Sequence, residues 1–487
     1  MCDCVRRQSQ RRQCYSSGRR FGGDSASGRP HGQQWFRCRG LPDRRRPSRR
    51  LIGGFPGPGD FSRLPAQRST LHRAGYGPQW YDRHCPRGAS AVIVAGGTYR
   101  EICDNPRWDR FFGSGLRAAA AITELSKDVT LATYAPPEWA EDIAMSAAAF
   151  GVKALITECR MPATFRYFHQ LSTAELEYDG ELDIEPLRVE GDAVLRFGMV
   201  AGSAIVRAKY AVFDPQTGAD PESFHSNGSV AEHLAIVLNG WEASQTTGVP
   251  LEGAGSIILA RENADVVIIK LGPRGAIVHS RGRSSVLVPP YRSDSVFKIG
   301  SGDVFSAAFA YYWGEAGLPP DEAADAASRS VAHFVDGHRL PLSGIEALCH
   351  GDAYSPRELP RQLYLAGPFF ALPQRWLIEE TRDILTSMGV PVFSPLHDVG
   401  TAKSAHDLAS GDLAGLDESA VVLALLDGAD PGTIFEVGYA RKAGIPVVGY
   451  SEQLDPLHLT MFEGTGCVME SDYTTAVYKA AMKAWSA

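Results

Sequence analysis

The segment Ile299–Phe305 combines small residues with a carboxylate at a spacing that suits phosphate chemistry. Its centre is Gly300-Ser301-Gly302-Asp303, and an apolar, helix-like stretch follows directly. Glycines let the backbone turn tightly and point several N–H groups one way, and the positive N-terminal end of a helix adds to their attraction for an anion. The turn therefore predicts a cradle for a phosphoryl group in transfer. Asp303 lies at its rim, where a base would take a proton from an attacking hydroxyl.

A second segment with chemical potential lies near the C-terminus. There Asp430-Pro431-Gly432-Thr433 leads into a helix that carries Glu436 and Gly438. The glycine two residues after the glutamate lets a ligand or another backbone approach closely. A glutamate on a helix is usually a solvated charge, so its meaning depends on the elements around it.

The elements that position the first turn alternate between short apolar strands and helices, over about residues 89–345. Such alternation predicts an α/β domain with a parallel sheet covered on both faces, and ligands of such sheets bind beyond the carboxyl ends of the strands. The predicted strands are Ala91–Ala95, Val129–Tyr134, Ala211–Phe213, Val266–Ile269 and Ala276–Val278, and an Ala-rich helix is predicted over Leu116–Leu125.

Several polar or glycine-rich segments precede the Gly300–Asp303 turn in a fixed order: Glu101, Gly113-Ser114-Gly115, Asn239-Gly240-Trp241-Glu242, and Lys270–Ala276. In this order and together with the turn, they resemble the PfkB (ribokinase-like) family of sugar and nucleoside kinases. The resemblance covers most of the first domain. It implies a ribokinase-like fold and transfer of the γ-phosphate of ATP, with Asp303 as base and Gly300, Ser301 and Gly302 as the cradle.

The resemblance also assigns roles to the earlier segments. Gly113 and Gly115 match the sugar-binding turn, and Glu101 stands where the family has an aspartate that holds sugar hydroxyls, which a carboxylate can accept. An exposed loop charge is the alternative for Glu101. Asn239 and Glu242 match the motif that organises Mg²⁺ and phosphate through water, since this metal prefers oxygen ligands and retained waters.

Two of these motifs could also have a purely structural role. The Asn239–Glu242 motif could simply begin a helix. Gly272 and Gly275 lie in the loop that passes over ATP in the family, but their segment would equally serve as a hairpin turn.

Thr164–His169 and the polar stretch after it interrupt the alternation of strands and helices, as the family's lid does. Such lids cover the sugar and often pair between subunits, so a homo-oligomer is expected, and His169 either contacts substrate or is incidental.

The approach to the cradle departs from the family. Phe297 and Lys298 replace an Asp-Thr pair whose aspartate helps build a monovalent-cation site in several members, so potassium activation is not expected. Lys298 supplies a fixed positive charge there instead, as a hypothesis.

A linker over about residues 346–360 leads to a second, Rossmann-like α/β unit over about 361–487. It resembles the nucleoside 2-deoxyribosyltransferase family over nearly its whole length, on Tyr364 and the Asp430–Ala440 segment. The resemblance implies that Glu436 attacks the anomeric carbon, that Tyr364 lies beside it, and that Asp430 lies in the nucleoside pocket. A carboxylate suits that task because the transition state resembles an oxocarbenium ion.

One position of this family pattern is missing. Ala420 stands seven residues before Asp427, where we expect the family aspartate that helps the base to depart, and Asp417 or Glu418 are the nearby substitutes. The family asparagine that completes the pocket from a neighbouring subunit is also not evident. Hydrolysis of deoxynucleosides or their 5′-monophosphates is therefore the close alternative to base exchange.

Composition limits the remaining function classes. The chain has 487 residues, 44% hydrophobic and 22% charged residues and a net charge of −7, which argues against general nucleic-acid binding. No apolar run suits a membrane span. Residues 1–88 are rich in Arg, Gly, Pro and Ser without periodicity and are expected to be disordered, with a nucleic-acid arm or an export signal as weaker alternatives. The four later cysteines are scattered, as in a reduced cytoplasmic protein.

The sequence thus predicts a bifunctional enzyme of nucleoside and sugar metabolism that uses ATP and Mg²⁺ and acts on small-molecule substrates. One half phosphorylates a sugar or nucleoside hydroxyl, and the other cleaves or exchanges an N-glycosidic bond. A nucleotide-sensing protein with weak or no turnover is the alternative from another class, motivated by Phe297, Lys298 and Ala420.

Overall fold

The computed structural model describes residues 50–51, 72–73, 91–160, 162–179, 184–216, 222–348, 352–401 and 403–486. The extension expected to be disordered, residues 1–88, lies outside these ranges apart from two short strands, β1 (Arg50–Leu51) and β2 (His72–Arg73). None of the helices in the described ranges combines the length and apolar character needed to cross a membrane.

The first domain is built on one large sheet. Its further strands are β3 (Val92–Ala95), β6 (Thr130–Ala135), β7 (Lys153–Glu158), β10 (Leu187–Phe197), β11 (Ala204–Asp214), β12 (Val230–Asn239), β13 (Val266–Lys270), β14 (Ala276–Ser280) and β15 (Val286–Val288). The order is β2-β15-β14-β13-β12-β11-β10-β3-β6-β7, and the seven strands from β13 to β7 are parallel. Only β14 and β15 join by antiparallel pairing.

Helices cover both faces of this sheet because side chains of a strand alternate between its faces. Val212 faces one apolar core and Phe213, the next residue of β11, faces the other. The first core also receives α1, α2, α5 and α6, and the second receives α3 and α4. The helices are α1 (Gly113–Ala121), α2 (Pro137–Ala149), α3 (Gly240–Thr247), α4 (Leu251–Arg261), α5 (Ser301–Phe309), α6 (Pro320–Val335) and α7 (Ile345–Leu348).

The strand order places a crevice at the carboxyl ends of the central strands. The chain runs outward from β3 to β6 and β7 on one side and from β10 to β13 on the other, so β3 and β10 mark a topological switch point. Three neighbouring strands end on polar residues at this edge, namely Asp214, Asn239 and Lys270.

A smaller sheet contains the segment predicted as a lid. Its strands are β4 (Arg100–Asn105), β5 (Trp108–Phe111), β8 (Ala163–His169) and β9 (Glu175–Tyr178), in the order β1-β9-β8-β4-β5. The Thr164–His169 stretch therefore lies outside the main sheet, paired with the strand that carries Glu101.

The second domain has a five-stranded, fully parallel sheet in the order β17-β16-β18-β19-β20. Helices α8 and α12 pack on one face, and α9 and α10 on the other. The predicted α/β fold class is thus confirmed for both domains. The elements are β16 (Leu363–Ala366), β17 (Val392–Phe393), β18 (Val421–Leu425), β19 (Val447–Tyr450), β20 (Val468–Glu470), α8 (Leu372–Ser387), α9 (Ala405–Asp417), α10 (Pro431–Lys442), α11 (Thr460–Gly464) and α12 (Tyr473–Ser486).

Helix α12 of the second domain contacts the segment that leads into the cradle of the first. The backbone N–H of Val296 donates to Thr475 Oγ1 at 3.0 Å, and the N–H of Lys298 donates to Gln170 Oε1 at 2.7 Å. His169, next to Gln170, is buried, with its Nε2 3.2 Å from Glu380 Oε1 of α8. The structure therefore places His169 at the contact between the two domains.

Candidate active sites

The cradle begins α5, as the sequence predicted for Gly300, Ser301 and Gly302. Gly300 adopts φ +78° and caps the helix, a conformation that favours glycine. The first turn of a helix leaves N–H groups without intrahelical acceptors, which is what an anion needs. Lys298 Nζ donates to Ser301 Oγ at 3.1 Å, and burial lowers the pKa of this lysine. The Lys298 side chain therefore lies beside the cradle, and its role as a fixed positive charge stays a hypothesis.

A buried polar cluster lies at the ends of β11 and β13. Lys270 Nζ donates to Asp214 Oδ2 at 2.8 Å, and Ser306 Oγ of α5 donates to the same oxygen at 2.7 Å. Burial raises the pKa of Asp214. Lys270 also borders the cradle, because a Cβ added at Gly302 would lie 3.3 Å from its Nζ. Sequence reasoning overlooked Asp214, although an acid that directly ends a buried strand was a usable signal.

Asn239 and Glu242 form a capping box at the start of α3. Asn239 Oδ1 accepts from the Glu242 N–H, and Glu242 Oε2 accepts from the Asn239 N–H, both at 2.8 Å. The alternative reading, that this motif begins a helix, is therefore correct at the level of structure. Burial, reinforced by the charge of Asp214, raises the pKa of Glu242 to about 7. Within the described ranges, no group of three or more His, Cys, Asp or Glu side chains is arranged to hold a metal.

Asp303 and Glu101 are bridged by an arginine that sequence reasoning did not single out. Arg117 of α1 donates through Nη1 to Asp303 Oδ2 at 2.8 Å and through Nη2 to Glu101 Oε2. Glu101 Oε1 also accepts from the N–H of Gly113 at 3.1 Å. Glu101 is therefore a buried, paired carboxylate rather than an exposed loop charge. The available signal was one arginine inside an otherwise apolar helix.

The other oxygen of Asp303 also has a partner. Gln216 Nε2 donates to Asp303 Oδ1 at 2.7 Å, and Gln216 adopts φ +49°, which is costly for a residue other than glycine. Residues with such backbone strain are found most often at active sites and ligand-binding positions, where the surrounding structure fixes their conformation. Asp303 thus accepts hydrogen bonds on both oxygens, one from a side chain of α1 and one from the segment after β11.

The predicted glycine turns lie at the same edge of the sheet. Gly113 adopts φ +67°, and the N–H of Gly115 donates to the carbonyl oxygen of Gly97 at 2.9 Å, which holds the start of α1 against the end of β3. Gly272 and Gly275 flank a short 3₁₀ turn between β13 and β14, so their segment does form a hairpin.

Phe297, three residues before Gly300, packs in an aromatic cluster. Its ring packs 4.2 Å from that of His338 and 5.4 Å from that of Trp108, measured between ring centres. Burial lowers the pKa of His338 to about 4, so this histidine is neutral at physiological pH. Phe297 is thus held by aromatic packing, and the lack of potassium activation stays a prediction.

In the second domain, Tyr364 and Glu436 form a direct pair. The Tyr364 hydroxyl donates to Glu436 Oε1 at 2.8 Å, and the Tyr364 ring stacks on Phe393 of β17 with ring centres 5.4 Å apart. Asp430 caps α10 by accepting from the N–H and the hydroxyl of Thr433, at 2.8 and 3.0 Å. The helix that carries Glu436 is therefore anchored at the residue predicted for the nucleoside pocket.

Asp412 on α9 is the acid that sequence reasoning missed in this domain. Its Oδ1 is buried without a hydrogen-bond partner, burial raises its pKa, and its charge raises the pKa of both Glu436 and Tyr364. Asp417, a predicted substitute at Ala420, instead accepts a surface hydrogen bond from Tyr439. One acid among several on α9 gave no local signal, since only the packing of α9 on α10 distinguishes Asp412.

Glu436 has an unusual acidity for a carboxyl group. Burial raises its pKa from 4.5 to about 7, the Tyr364 hydrogen bond opposes this, and the charges of Asp412 and Asp430 add to it. A group that titrates near neutral pH and lies beside another perturbed acid is typical of reactive sites.

Both halves are α/β units whose reactive groups gather near parallel strands, the arrangement of ligand-binding α/β domains. Two family models match the chain: the pfkB family carbohydrate kinase over residues 234–336, and nucleoside 2-deoxyribosyltransferase over residues 363–475. The chain therefore carries both a PfkB carbohydrate kinase domain and a nucleoside 2-deoxyribosyltransferase domain, which confirms the two predicted resemblances.

Solved structures similar to part of the chain include the ribokinase of Thermotoga maritima, at 17% identity over 53% of this chain and 95% of that chain, with a TM-score of 0.38. Aminoimidazole riboside kinase of Salmonella enterica, complexed with aminoimidazole riboside and an ATP analogue, has 16% identity over 50% and 93% and a TM-score of 0.39. A pyrophosphate-dependent kinase in the ribokinase family, complexed with a pyrophosphate analogue and myo-inositol, has 14% identity over 53% and 98% and a TM-score of 0.38. No curated protein matches the chain significantly.

Proposed function

We propose that the protein is a bifunctional enzyme that cleaves an N-glycosidic bond of a deoxynucleoside in one half and phosphorylates a sugar or nucleoside hydroxyl in the other. The observation that carries the first activity is the hydrogen bond between Tyr364 and a Glu436 carboxylate whose pKa is about 7. The family match over residues 363–475 supports the same class of substrate.

In the glycosidic half, ionised Glu436 attacks the anomeric carbon as the bond to the base breaks. Tyr364 orients the attacking carboxylate, and its hydroxyl balances negative charge on Oε1. Asp412, whose pKa burial raises, gives its proton to the departing base. The covalent glycosyl-enzyme then passes its sugar to water or to a second base, and the choice between these acceptors separates hydrolase from transferase.

In the kinase half, Asp303 takes the proton of the acceptor hydroxyl while the hydroxyl oxygen bonds to the γ-phosphorus and the bond to ADP breaks. The cradle of Gly300, Ser301 and Gly302 faces the phosphoryl oxygens, with Lys298 and Lys270 beside it. These cations and the open first turn of α5 fit a phosphate donor, which we propose to be ATP. The remaining oxygen of Glu242 suits Mg²⁺ held through water, and this ion when bound neutralises phosphate charge.

Chromatography of the free base released from deoxynucleosides and their 5′-monophosphates tests the first activity. We expect release by the wild-type protein and at least a ~1,000-fold lower rate for Glu436→Gln. A trial with and without an added acceptor base separates exchange from hydrolysis. Equal release by Glu436→Gln and wild type would contradict the assignment.

ADP formation from ATP with a panel of sugars and nucleosides tests the second activity, with pyrophosphate as an alternative donor. We expect turnover that Asp303→Asn lowers by at least ~100-fold. A nucleotide-sensing role is the second candidate, because both oxygens of Asp303 already have partners in the protein. Nucleotide binding with no Asp303-dependent turnover on any acceptor would favour that role.

A further inference from the structure

Arg117 is one of the deeply buried charged side chains near the cradle. It is 1% exposed, and it lies on α1, all nine residues of which are buried. Its guanidinium lies 5.3 Å over the ring of Phe112, and a methyl group at Gly300 would collide with its Cδ, Nε and Cζ atoms. The arginine is therefore wedged between a ring, two carboxylates and the cradle backbone, and it has little room to move.

The contacts of Arg117 join parts of the chain that are distant in sequence. Asp303 is 186 residues away on α5, and Glu101 is on β4 of the small sheet. A guanidinium presents donors in a rigid fork, so it fixes the orientation of carboxylates that it holds, whereas an ammonium acts as a point charge. Gln216 holds the other oxygen of Asp303, so the plane of this carboxylate is set from both sides.

The two hydrogen bonds to Asp303 leave its carboxylate able to accept a proton. Each carboxylate oxygen can accept two hydrogen bonds, and each oxygen of Asp303 uses one with a protein donor. A lone pair on each oxygen therefore remains for an acceptor hydroxyl, and its direction is fixed by the bonds already made.

We propose that Arg117 is the positioning residue of the kinase half: it orients Asp303 through Oδ2 and holds a fixed positive charge against the Gly300 end of the cradle. The proposal rests on the proposed phosphoryl transfer. It also gives Glu101 a supporting role. One oxygen of this carboxylate, on the small sheet, pairs with Arg117, and the other accepts from the Gly113 N–H.

The charge of Arg117 matters most during the transfer itself. When the hydroxyl proton moves to Asp303, the aspartate becomes neutral, and the new O–P bond forms as the bond to ADP breaks. The guanidinium then keeps Glu101 as its one ionised partner, so the cluster of Arg117, Asp303 and Glu101 passes from one net negative charge to neutral beside the cradle, where negative phosphoryl oxygens lie. Loss of a negative charge next to these oxygens at this moment favours the transition state over the ground state.

The test compares Arg117→Gln and Arg117→Lys with wild type in ADP formation from ATP, using the best acceptor of the sugar and nucleoside panel. We expect kcat to fall at least ~100-fold in Arg117→Gln, with KM for ATP and acceptor within about threefold. Arg117→Lys retains the charge without the fork, so we expect an intermediate kcat. Arg100→Gln is the control, since Arg100 of β4 pairs with Asp109 of β5 on the surface.

A second readout guards against loss of folding, because removing one partner of a buried ion pair is costly. ATP binding measured by calorimetry and base release by the second domain both report a folded protein. If Arg117→Gln fails either check, the double variant Glu101→Gln/Arg117→Met removes one buried charge of each sign and is compared instead.

The outcomes separate two failures. Unchanged or higher turnover in a folded Arg117→Gln protein overturns the inference alone, because Asp303 then does not need the arginine to act as base. Absence of turnover in every form, with ATP still bound, is a failure of the proposed kinase function, and the inference falls with it. A fall in kcat with unchanged KM and partial rescue by lysine supports the positioning role, since a purely structural defect would not be graded by charge.

Discussion

The hydroxyl of Tyr364 donates to Oε1 of Glu436 across 2.8 Å, although the two residues are 72 positions apart in the chain. Tyr364 comes from the first strand of the second domain and Glu436 from the second turn of α10. The bond fixes one carboxylate oxygen, and in the proposed mechanism the other oxygen attacks the anomeric carbon. The same bond lowers the pKa of Glu436 against the effect of burial, so it favours the ionised form that attack requires.

Tyr364→Phe removes this bond while keeping the ring that stacks on Phe393. We expect kcat for base release to fall roughly 10- to 100-fold, because the nucleophile loses its orientation and the support for its charge. Steady-state release from a deoxynucleoside measures this effect. The matched control is Tyr439→Phe on the outer part of α10, which removes only the bond to Asp417. An unchanged rate in Tyr364→Phe would remove Tyr364 from the mechanism.

Asp412→Asn tests the acid that the packing of α9 places near Glu436. If Asp412 protonates the departing base, release of a natural purine falls by about 100-fold, while a leaving group that needs no proton departs almost as fast as with wild type. The ratio of the two rates is the measurement. Asp407→Asn, one turn earlier on the exposed start of α9, is the control. Equal losses on both substrates would assign Asp412 a structural role instead.

Stability should depend on pH through Glu436. Its pKa is raised from 4.5 to about 7, so the folded state favours the protonated carboxyl. Stability is therefore lost as pH rises from about 4.5 to 7, and the full cost of the buried charge is present above 7. We expect Glu436→Gln to be more stable than wild type by on the order of 1–2 kcal/mol at pH 8, with little difference at pH 4.

Thermal unfolding at both pH values measures this difference. In activity, the same group predicts that base release rises with pH up to about 7, since only the carboxylate attacks. A Glu436→Gln protein that is no more stable at pH 8 than at pH 4, relative to wild type, would contradict the raised pKa of Glu436.

Thr475→Val tests the contact between the two domains. The variant leaves the buried N–H of Val296 unpaired, which costs about 1–3 kcal/mol. Since Val296 lies four residues before Gly300, we expect a lower kcat in the kinase half while base release continues. Thr474→Val at the adjoining buried position is the matched control. If both variants behave alike in ADP formation, the bond does not support the cradle.

Much of the fold was predictable because its signals are local. Buried strands such as β3 and β13 are short apolar runs close to glycines, and each lies within a residue or two of its predicted position. The long strands β10 and β12 were harder to recognise, since charged residues interrupt their apolar pattern. Arg196 of β10 is buried by stacking on Phe213 and pairing with Glu222, contacts that no pattern along the strand reveals.

Helix starts were also displaced. The first helix begins at Gly113 rather than Leu116, because the glycine turn itself forms the first helical residues. Helix α8 of the second domain begins at Leu372, where Pro373 suits the first turn and the Gln374 side chain accepts from the Ala371 N–H.

The sequence by itself determined the α/β class, the two family resemblances and the turns that carry Asp303 and Glu436. These features depend on residue types that lie close together in the sequence, so they can be recognised without the tertiary structure. Only the tertiary structure decided which side chains those carboxylates meet. Arg117 reaches Asp303, and Asp412 faces Glu436, because helices distant in the chain pack against common sheets, and the burial that gives each pair its strength exists only once that packing is complete.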